Sequence, residues 1–233
     1  TEQQWMDSLA ALPRTDTHRI DVNLLGATAR PFPPSAAETK TIRYVQDNVH
    51  DFAWFADKRF IVRSSEVALP HSGRTVRTWA LFTPKNATLW ADAVSYVNES
   101  VRFYSEWAGD YPYDACTAID GTISAGGGME YPMISFNGGR PEKDGTYSER
   151  VKYGMIGVII HEVGHNFFPM IINSDERQWS WMDEGLNTFV EYLTEELWDN
   201  KFPSRRGPAT FITDYMKLPK EQLEPIMTNS ENI

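Results

Sequence analysis

The stretch His161-Glu162-Val163-Gly164-His165 carries the pattern H-E-x-x-H. On a helix, His161 and His165 are one turn apart and project only about 40° from each other. Two imidazoles placed in this way can bind one Zn²⁺ without distorting the backbone. Glu162 lies at the edge of the same face, where it would flank a water on the metal and suits a general base rather than a ligand. The pattern therefore predicts a zinc site, and the alternative is a chance match on a surface helix.

A third ligand is expected downstream, because a catalytic zinc takes three protein ligands and keeps one position for water. Glu184 follows His165 with residues 166–183 between them, near the start of a second predicted helix. An antiparallel pair of helices would return its carboxylate to the histidine face. Thr188 and Glu191, at i+4 and i+7 from Glu184, share its face and are candidates to orient the ligands. Ordinary polar residues on an amphipathic helix would explain these two equally well.

A glycine-rich turn, Gly126–Gly128, precedes a segment that we predict to be extended, Met129–Phe136. Pro132 cannot donate to a ladder, so this segment is expected at a sheet edge. Such an edge can accept a peptide as an added strand, and Glu130 would supply a counter-charge for an ammonium group. The alternative is a turn followed by an ordinary surface glutamate.

These residues resemble the gluzincin aminopeptidases, a family that includes aminopeptidase N and leukotriene A hydrolase. The zinc signature is similar in its spacing and in Trp179 before the Glu-Gly pair, and Gly127-Gly128-Met129-Glu130-Tyr131 is similar to the family's Gly-x-Met-Glu-Asn exopeptidase motif. The resemblance covers residues 75–200 or so. It implies one Zn²⁺ per chain and the following roles: metal ligands His161, His165 and Glu184; general base Glu162; substrate binding by Gly127, Gly128, Met129 and Glu130.

Two departures from the family pattern indicate a divergent, bacterial-type member. Tyr131 replaces the family's Asn, and Asn166-Phe167-Phe168-Pro169 stands where the family has a Gln-Trp-Phe-Gly-like run. The family also has a transition-state tyrosine well downstream of the zinc glutamate. Tyr192 and Tyr215 lie too near Glu184 to match it, so we expect that tyrosine beyond residue 233 and the catalytic domain to be truncated.

The fold class that we predict is α/β (α+β), a thermolysin-like domain with a small mixed sheet packed on the H-E-x-x-H helix. That helix should begin near Thr146–Ser148, where Thr146 and Glu149 have capping-box spacing, and run to about Phe168, before Pro169. The other predicted elements are two or three strands within Thr41–Val67, strands at Arg77–Thr83 and Ala115–Ile119, and helices at Leu89–Trp107 and Asp183–Trp198.

A domain boundary is predicted near residue 70. Residues 1–70 would comprise an irregular segment and the last strands of a β-rich N-terminal domain, and residues 71–233 the catalytic domain. The compartment is left open by the sequence, and a periplasmic or secreted parent protein is compatible with a chain that starts at Thr1 without a leader.

Composition narrows the possible partners. The 233 residues are 41% hydrophobic and 23% charged, which is typical of a folded globular protein. A net charge of −10 without a basic run argues against nucleic acid and anionic membranes. No apolar run approaches the roughly 18 residues of a membrane span. The single cysteine, Cys116, excludes an intramolecular disulfide and a Cys-based zinc site.

The sequence thus predicts a zinc-dependent aminopeptidase that acts on peptides with a free N-terminus. Two alternatives stay open: a zinc endopeptidase on the same scaffold, in which Glu130 is a bystander, and a non-catalytic gluzincin-like interaction module. Relatives of the latter kind usually lose zinc ligands or the base, whereas this chain retains His161, Glu162, His165 and Glu184. Its oligomeric state is not indicated.

Overall fold

The structure is a computed structural model that describes residues 36–57, 59–121 and 127–232. Predictions that concern residues 1–35 therefore lie outside the described residues, as does the first glycine of the glycine-rich turn, Gly126. Within the described part, none of the helices has the length and apolar character needed to cross a bilayer.

Five strands form one mixed sheet, which confirms the predicted α/β class and mixed sheet. The spatial order is β1-β2-β3-β5-β4, in which β2, β3 and β5 run parallel while β1 and β4 are antiparallel to their neighbours. β4 is consequently an edge strand. The strands are β1 Ile61–Ala68, β2 Thr75–Phe82, β3 Ala115–Asp120, β4 Gly128–Tyr131 and β5 Ile134–Asn137.

The helices lie along the chain between and after these strands. A π-helical turn at Trp181–Gly185 leads directly into the fourth helix, and short 3₁₀ turns occur at Pro84–Asn86, Ala209–Phe211, Lys220–Gln222 and Ser230–Asn232. The α-helices are α1 Ala87–Trp90, α2 Ala93–Ala108, α3 Glu149–Gly164, α4 Leu186–Trp198 and α5 Ile212–Met216.

Helix α3, which carries the H-E-x-x-H motif, is enclosed by the rest of the fold. It packs against α2, α4, β4 and β5, so apolar residues are buried on several of its faces. These buried residues are Met155, Ile156, Ile159, Ile160 and Val163. Because close-packed neighbours fix a buried helix in position, the backbone that carries the side chains at its C-terminal end is held rigidly.

The two ends of α3 differ from those predicted. Ser148 is the N-cap, and its Oγ accepts a hydrogen bond from Val151 N at 3.3 Å. Thr146 instead donates its hydroxyl to Asp144 Oδ1 at 2.7 Å, so it does not cap the helix. The helix ends at Gly164, earlier than the predicted Phe168, and turns occupy residues 165–170. His165 N still donates to His161 O at 3.2 Å, so both histidines keep helical spacing.

The prediction of two or three strands within Thr41–Val67 was wrong in number. Among described residues 36–60 no strand forms, and Tyr44 and Val45 are 65% and 71% exposed. Only β1 lies in that range. A β-branched and aromatic composition favours a strand when a partner strand and a buried face are available, and residues 41–45 have neither among the described residues.

The segment Met129–Phe136 is a hairpin rather than one extended strand. β4 and β5 are antiparallel, with Glu130 opposite Ser135. Pro132 lies in the turn between them, where its missing N–H breaks no ladder, and Met133 adopts a positive φ of 66°. The edge position predicted for this segment therefore belongs to β4 alone.

The predicted boundary near residue 70 falls between two paired strands. β1 and β2 are antiparallel partners from Ile61 opposite Phe82 to Ala68 opposite Thr75. Since β1 belongs to the same sheet as β3, β4 and β5, it is part of the sheet that carries the site. The division of the whole chain at residue 70 stays a prediction.

Candidate metal centre

His161, in the last turn of α3, and His165, the residue that caps its C-terminal end, direct their Nε2 atoms to one point. His161 Nε2 and His165 Nε2 lie 3.1 Å apart, and the two rings are perpendicular, with centroids 4.6 Å apart. Two nitrogen ligands of a tetrahedral zinc, each at about 2.05 Å, are separated by about 3.3 Å. The observed spacing therefore fits a shared metal ligand sphere.

Glu184 brings the third donor from the π-helical turn at Trp181–Gly185. Its Oε2 lies 3.1 Å from His161 Nε2, and its Oε1 lies 3.9 Å from His165 Nε2. One ligand atom from each of the three residues fits within a mutual distance of 4.8 Å. The Glu184 side chain is 55% exposed while both histidines are largely buried, so the group is reached from one open side. Two imidazoles and one carboxylate form a donor set typical of catalytic zinc.

Asn187, which is not among the predicted site residues, connects α4 to α3 at this point. Its Nδ2 donates to His161 O at 2.9 Å, and its Oδ1 accepts from the hydroxyl of Tyr104 at 2.8 Å. Asn187 is fully buried. Gly164 makes this approach possible, because a Cβ there would lie 2.1 Å from Asn187 Oδ1 and 2.3 Å from the Tyr104 ring. In the sequence, the feature that could have pointed to this role is an asparagine three residues after Glu184.

Glu191 contacts His161 at Nδ1, the ring nitrogen that does not face the other two donors. Its Oε2 lies 2.8 Å from His161 Nδ1, and its Oε1 accepts from Arg206 Nε at 3.1 Å. The side chain is buried. Thr188, the other residue predicted to orient ligands, is half-buried, and its hydroxyl makes no hydrogen bond with a residue in the described ranges. The structure thus brings Glu191 to a ligand and gives Thr188 no such contact.

The second histidine has two oxygen neighbours at its other nitrogen. His165 Nδ1 lies 2.8 Å from Asp183 Oδ1 and 2.9 Å from the carbonyl oxygen of Phe168. Asp183 is buried, although the sequence predicts it only as the start of a helix. Such partners fix the ring orientation and leave Nε2 for a metal. In the sequence, the feature that could have pointed to this contact is the acidic pair Asp183-Glu184.

Glu162 is buried beside the three donors. Its Oε2 has no hydrogen-bond partner among the described residues, and burial raises the pKa of its carboxyl to about 8. A Cβ on Gly128 would lie 2.3 Å from Glu162 Oε1, so the edge strand packs directly against this carboxylate. An unpaired buried carboxylate is costly in a merely structural position, and it fits a group that handles a proton.

The residues of the glycine-rich motif lie along and beside β4. Glu130 is half-buried, and burial raises the pKa of its carboxyl. It shares a second group of potential ligand atoms, within 4.8 Å, with His165 and Asp183. Met129 is 39% exposed, and Gly127, with a φ of 70°, accepts at its carbonyl from Gly138 N at 2.8 Å. Glu130 therefore lies on the His165 side of the site.

The site favours a positive charge between its carboxylates. Burial alone would lower the pKa of His161, but hydrogen bonds with Glu184 and Glu191 raise it to about 10. Burial alone would also lower the pKa of His165, but the contact with Asp183 raises this pKa to about 9. The hydrogen bond from His161 lowers the pKa of Glu184. A divalent cation would meet the same electrostatic demand.

Neither of the two tyrosines after Glu184 belongs to this group. The ring of Tyr192 packs against Gly207, where a Cβ would lie 2.5 Å from it. The hydroxyl of Tyr215 donates to Glu224 O at 3.1 Å. The position of a transition-state tyrosine beyond residue 233 stays a prediction.

Comparison with known proteins gives similarity in structure and not in sequence. No protein-family profile matches the chain, and no curated protein is significantly similar to it in sequence. Its structure is similar to that of a mutant M1 zinc metallopeptidase from Deinococcus radiodurans, with a TM-score of 0.50 and 16% identity over 72% of this chain and 35% of that one. At this identity the likeness shows a shared fold alone.

Two further crystal structures resemble the chain more weakly. An M1 zinc metallopeptidase from Deinococcus radiodurans has a TM-score of 0.46 and 17% identity over 60% of this chain and 29% of that one. A two-domain mutant M1 zinc metallopeptidase bound to L-arginine has a TM-score of 0.44 and 15% identity over 67% and 32%. The chain thus spans about a third of the length of the solved structures that it resembles.

Proposed function

We propose that this chain forms the catalytic part of a zinc-dependent aminopeptidase of the gluzincin type, with a thermolysin-like arrangement of sheet and active-site helix. The observation that carries the proposal is the convergence of His161 Nε2, His165 Nε2 and the Glu184 carboxylate, at mutual distances of 3.1–3.9 Å. The shared fold with M1 zinc metallopeptidases supports it independently.

His161, His165 and Glu184 would hold one Zn²⁺. When bound, the ion supplies a Lewis acid and lowers the pKa of a water toward about 7. Glu162 accepts the proton of the attacking water at its carboxylate and delivers it to the leaving amine. Its surroundings support this role, because the buried Glu162 Oε2 has no hydrogen-bond partner among the described residues that would compete for the proton.

Glu130 and β4 would fix the substrate. β4 is an edge strand, so its free backbone groups can pair with an extended peptide. The Glu130 carboxylate, half-buried beside His165, offers a counter-charge to an α-ammonium group. Holding that group next to the metal centre places the first peptide bond at the reacting position, so that one residue is removed at a time.

The metal and the base are tested together. The purified chain should contain close to one equivalent of zinc by metal analysis, and a chain without zinc after loading would support the non-catalytic interaction module instead. Glu162→Gln should keep the zinc and lose peptide hydrolysis by about 10³-fold or more. Glu196→Gln, an exposed glutamate of α4, is the control and should leave both unchanged. A fully active Glu162→Gln would refute the assignment of the base.

The amine anchor separates exopeptidase from endopeptidase. An aminoacyl anilide with a free amine should be hydrolysed well, and an N-acetylated peptide poorly. Glu130→Ala should reduce kcat/KM for the free-amine substrate by about 10²-fold, with little effect on the blocked peptide. Efficient cleavage of the blocked peptide, or equal losses for both, would favour the endopeptidase.

A further inference from the structure

A cavity of about 840 Å³ lies beside the metal centre, along α3 on the N-terminal side of His161. Gly154, Gly157 and Val158 form its wall on α3, at helical positions that share the face of the two histidines. Glu191, the partner of His161 Nδ1, lines the same cavity. A Cβ at Gly154 would meet no atom within 4 Å, so this wall borders open space. The cavity therefore lies along the side of α3 that carries His161, one to two turns towards the N-terminus of the helix.

The edge strand gives the direction in which a substrate would enter it. Gly127 lines the cavity, and Glu130 lies three residues further along the same edge, at a distance of about 10 Å for an extended chain. A peptide whose amine is held at Glu130 and that runs antiparallel to β4 passes Glu162, which packs against Gly128, and then reaches Gly127. The part of the substrate that follows the cleaved bond is thus directed into the cavity.

The cavity is rimmed by basic side chains in an otherwise acidic protein. Five of them line it, against three carboxylates, while the whole chain carries a net charge of −10. Arg206 is paired with Glu191, and Arg140 with Asp120. Among residues 36–57, 59–121 and 127–232, the side chains of the other three form no ion pair. These three are Arg150, Lys201 and Arg205.

The acidic residues of the cavity do not cancel this charge. Glu191 is buried between His161 and Arg206. Glu195 accepts a hydrogen bond from the hydroxyl of Ser204, and its carboxyl is buried. Only Glu149 is an exposed carboxylate of this rim. The solvent-facing charge at the cavity is therefore mainly positive.

We propose that this cavity binds a carboxylate on the leaving part of a peptide, and that the chain prefers substrates that are anionic immediately after the cleaved bond. The proposal rests on the proposed aminopeptidase function, since that function sets the direction of the substrate. The carboxylate can come from an acidic side chain or from the C-terminus of a short peptide. Arg150, Lys201 and Arg205 are the cations that would bind it.

Four dipeptides separate the two sources of the carboxylate. Leucyl-glutamate has both carboxylates, leucyl-glutamine only the C-terminal one, leucyl-glutamate amide only the side-chain one, and leucyl-glutamine amide neither. With the zinc-loaded chain, kcat/KM should be about five- to tenfold higher for each peptide with a carboxylate than for leucyl-glutamine amide. Equal values for all four, or a preference for the neutral peptide, would overturn the proposal.

Variants connect the preference to the cavity. In the double variant Lys201→Gln/Arg205→Gln, the ratio of kcat/KM between leucyl-glutamate and leucyl-glutamine amide should fall by about fivefold. Lys143→Gln/Lys220→Gln removes the same charge at two exposed lysines that do not line the cavity, and it should keep the ratio. An identical fall in both double variants would show a general charge effect and overturn the site.

Direct binding keeps the proposal separate from catalysis. Calorimetric titration of zinc-loaded Glu162→Gln should give a Kd for leucyl-glutamate about five- to tenfold lower than for leucyl-glutamine amide. Hydrolysis of all four peptides at equal rates refutes the anion site and leaves the aminopeptidase function intact. Absence of any hydrolysis by the unmodified chain refutes the function, and the calorimetric ratio then decides the site: a tenfold preference supports it, and equal or undetectable binding overturns it.

Discussion

Glu191 Oε2 lies 2.8 Å from Nδ1 of His161, while Nε2 of the same ring faces His165 and Glu184. One carboxylate thus fixes the ring from α4 while the opposite nitrogen stays available. Arg206 extends the chain of contacts by donating its Nε to Glu191 at 3.1 Å. A buried carboxylate at this position both orients the imidazole and increases its basicity as a ligand.

Replacing Glu191 with Gln should weaken zinc binding. The side chain keeps its shape but loses its charge, so we expect the Kd for zinc to rise by about tenfold. Competition with a chromogenic chelator measures this Kd, and far-UV circular dichroism reports on folding. Glu196→Gln, on the exposed side of the same helix, is the matched control. An unchanged Kd in a folded Glu191→Gln would remove Glu191 from the support of the ligand.

Replacing Gly128 with Ala should displace the Glu162 carboxylate. The new Cβ would lie 2.3 Å from Oε1, which is closer than any real contact. We expect kcat to fall by at least about tenfold while the zinc content is retained, because the general base that we propose at Glu162 must stay within reach of its proton. A double-mutant cycle tests the cause: adding Gly128→Ala to Glu162→Gln should cause little further loss. Additive losses would show that Gly128 acts elsewhere.

Replacing Gly164 with Ala should destabilise the fold by about 1–3 kcal/mol, since the Cβ would overlap Asn187 and Tyr104. Gly154→Ala on the same helix is the matched control. Its Cβ has no atom within 4 Å, so the helix propensity of Ala should stabilise the fold by about 0.5–1 kcal/mol. Urea unfolding measures both changes. A shift of the same sign in both variants would contradict this packing argument.

Glu195 should make stability depend on pH. Burial raises the pKa of its carboxyl from 4.5 to about 7, so between these values the folded chain holds a proton that the unfolded chain has released. The free energy of unfolding should therefore fall as pH rises through this interval, with a contribution from Glu195 of about 1–3 kcal/mol. Glu195→Gln should flatten the profile in urea titrations at pH 5 and pH 7. Parallel profiles for the two chains would contradict the shift.

The sequence was most informative where chemistry depends on helical spacing. A separation of four residues in a helix places His161 and His165 on one face whatever surrounds them, so the paired Nε2 atoms could be predicted. Glu184 could be placed only by its distance along the chain and by resemblance. Asp183 and Asn187 went unnoticed because their roles depend on tertiary contacts, with His165 and with Tyr104, that no local pattern specifies.

The strands were harder to predict for a related reason. Residues 41–45 and β1 both contain three β-branched residues, yet only β1 finds a partner, β2. A strand is stabilised by its neighbours across the sheet, and those are not encoded in the segment itself. Likewise, Pro132 signalled that a ladder must be interrupted, but it could not tell an edge strand from a turn.

The contact of Gly164 with Asn187 and Tyr104 bears on the portability of the zinc motif. In a five-letter pattern the fourth position is a wildcard, yet here a second helix crosses the first at that residue and tolerates no side chain. Grafting the motif onto a foreign scaffold would transfer both imidazoles and the Glu162 carboxylate, but a bulky residue at the wildcard would keep α4, and with it Glu184 in the turn before it, at a distance. Transfer of such a centre therefore requires a close helix crossing at the fourth position of the motif as well as the sequence pattern itself.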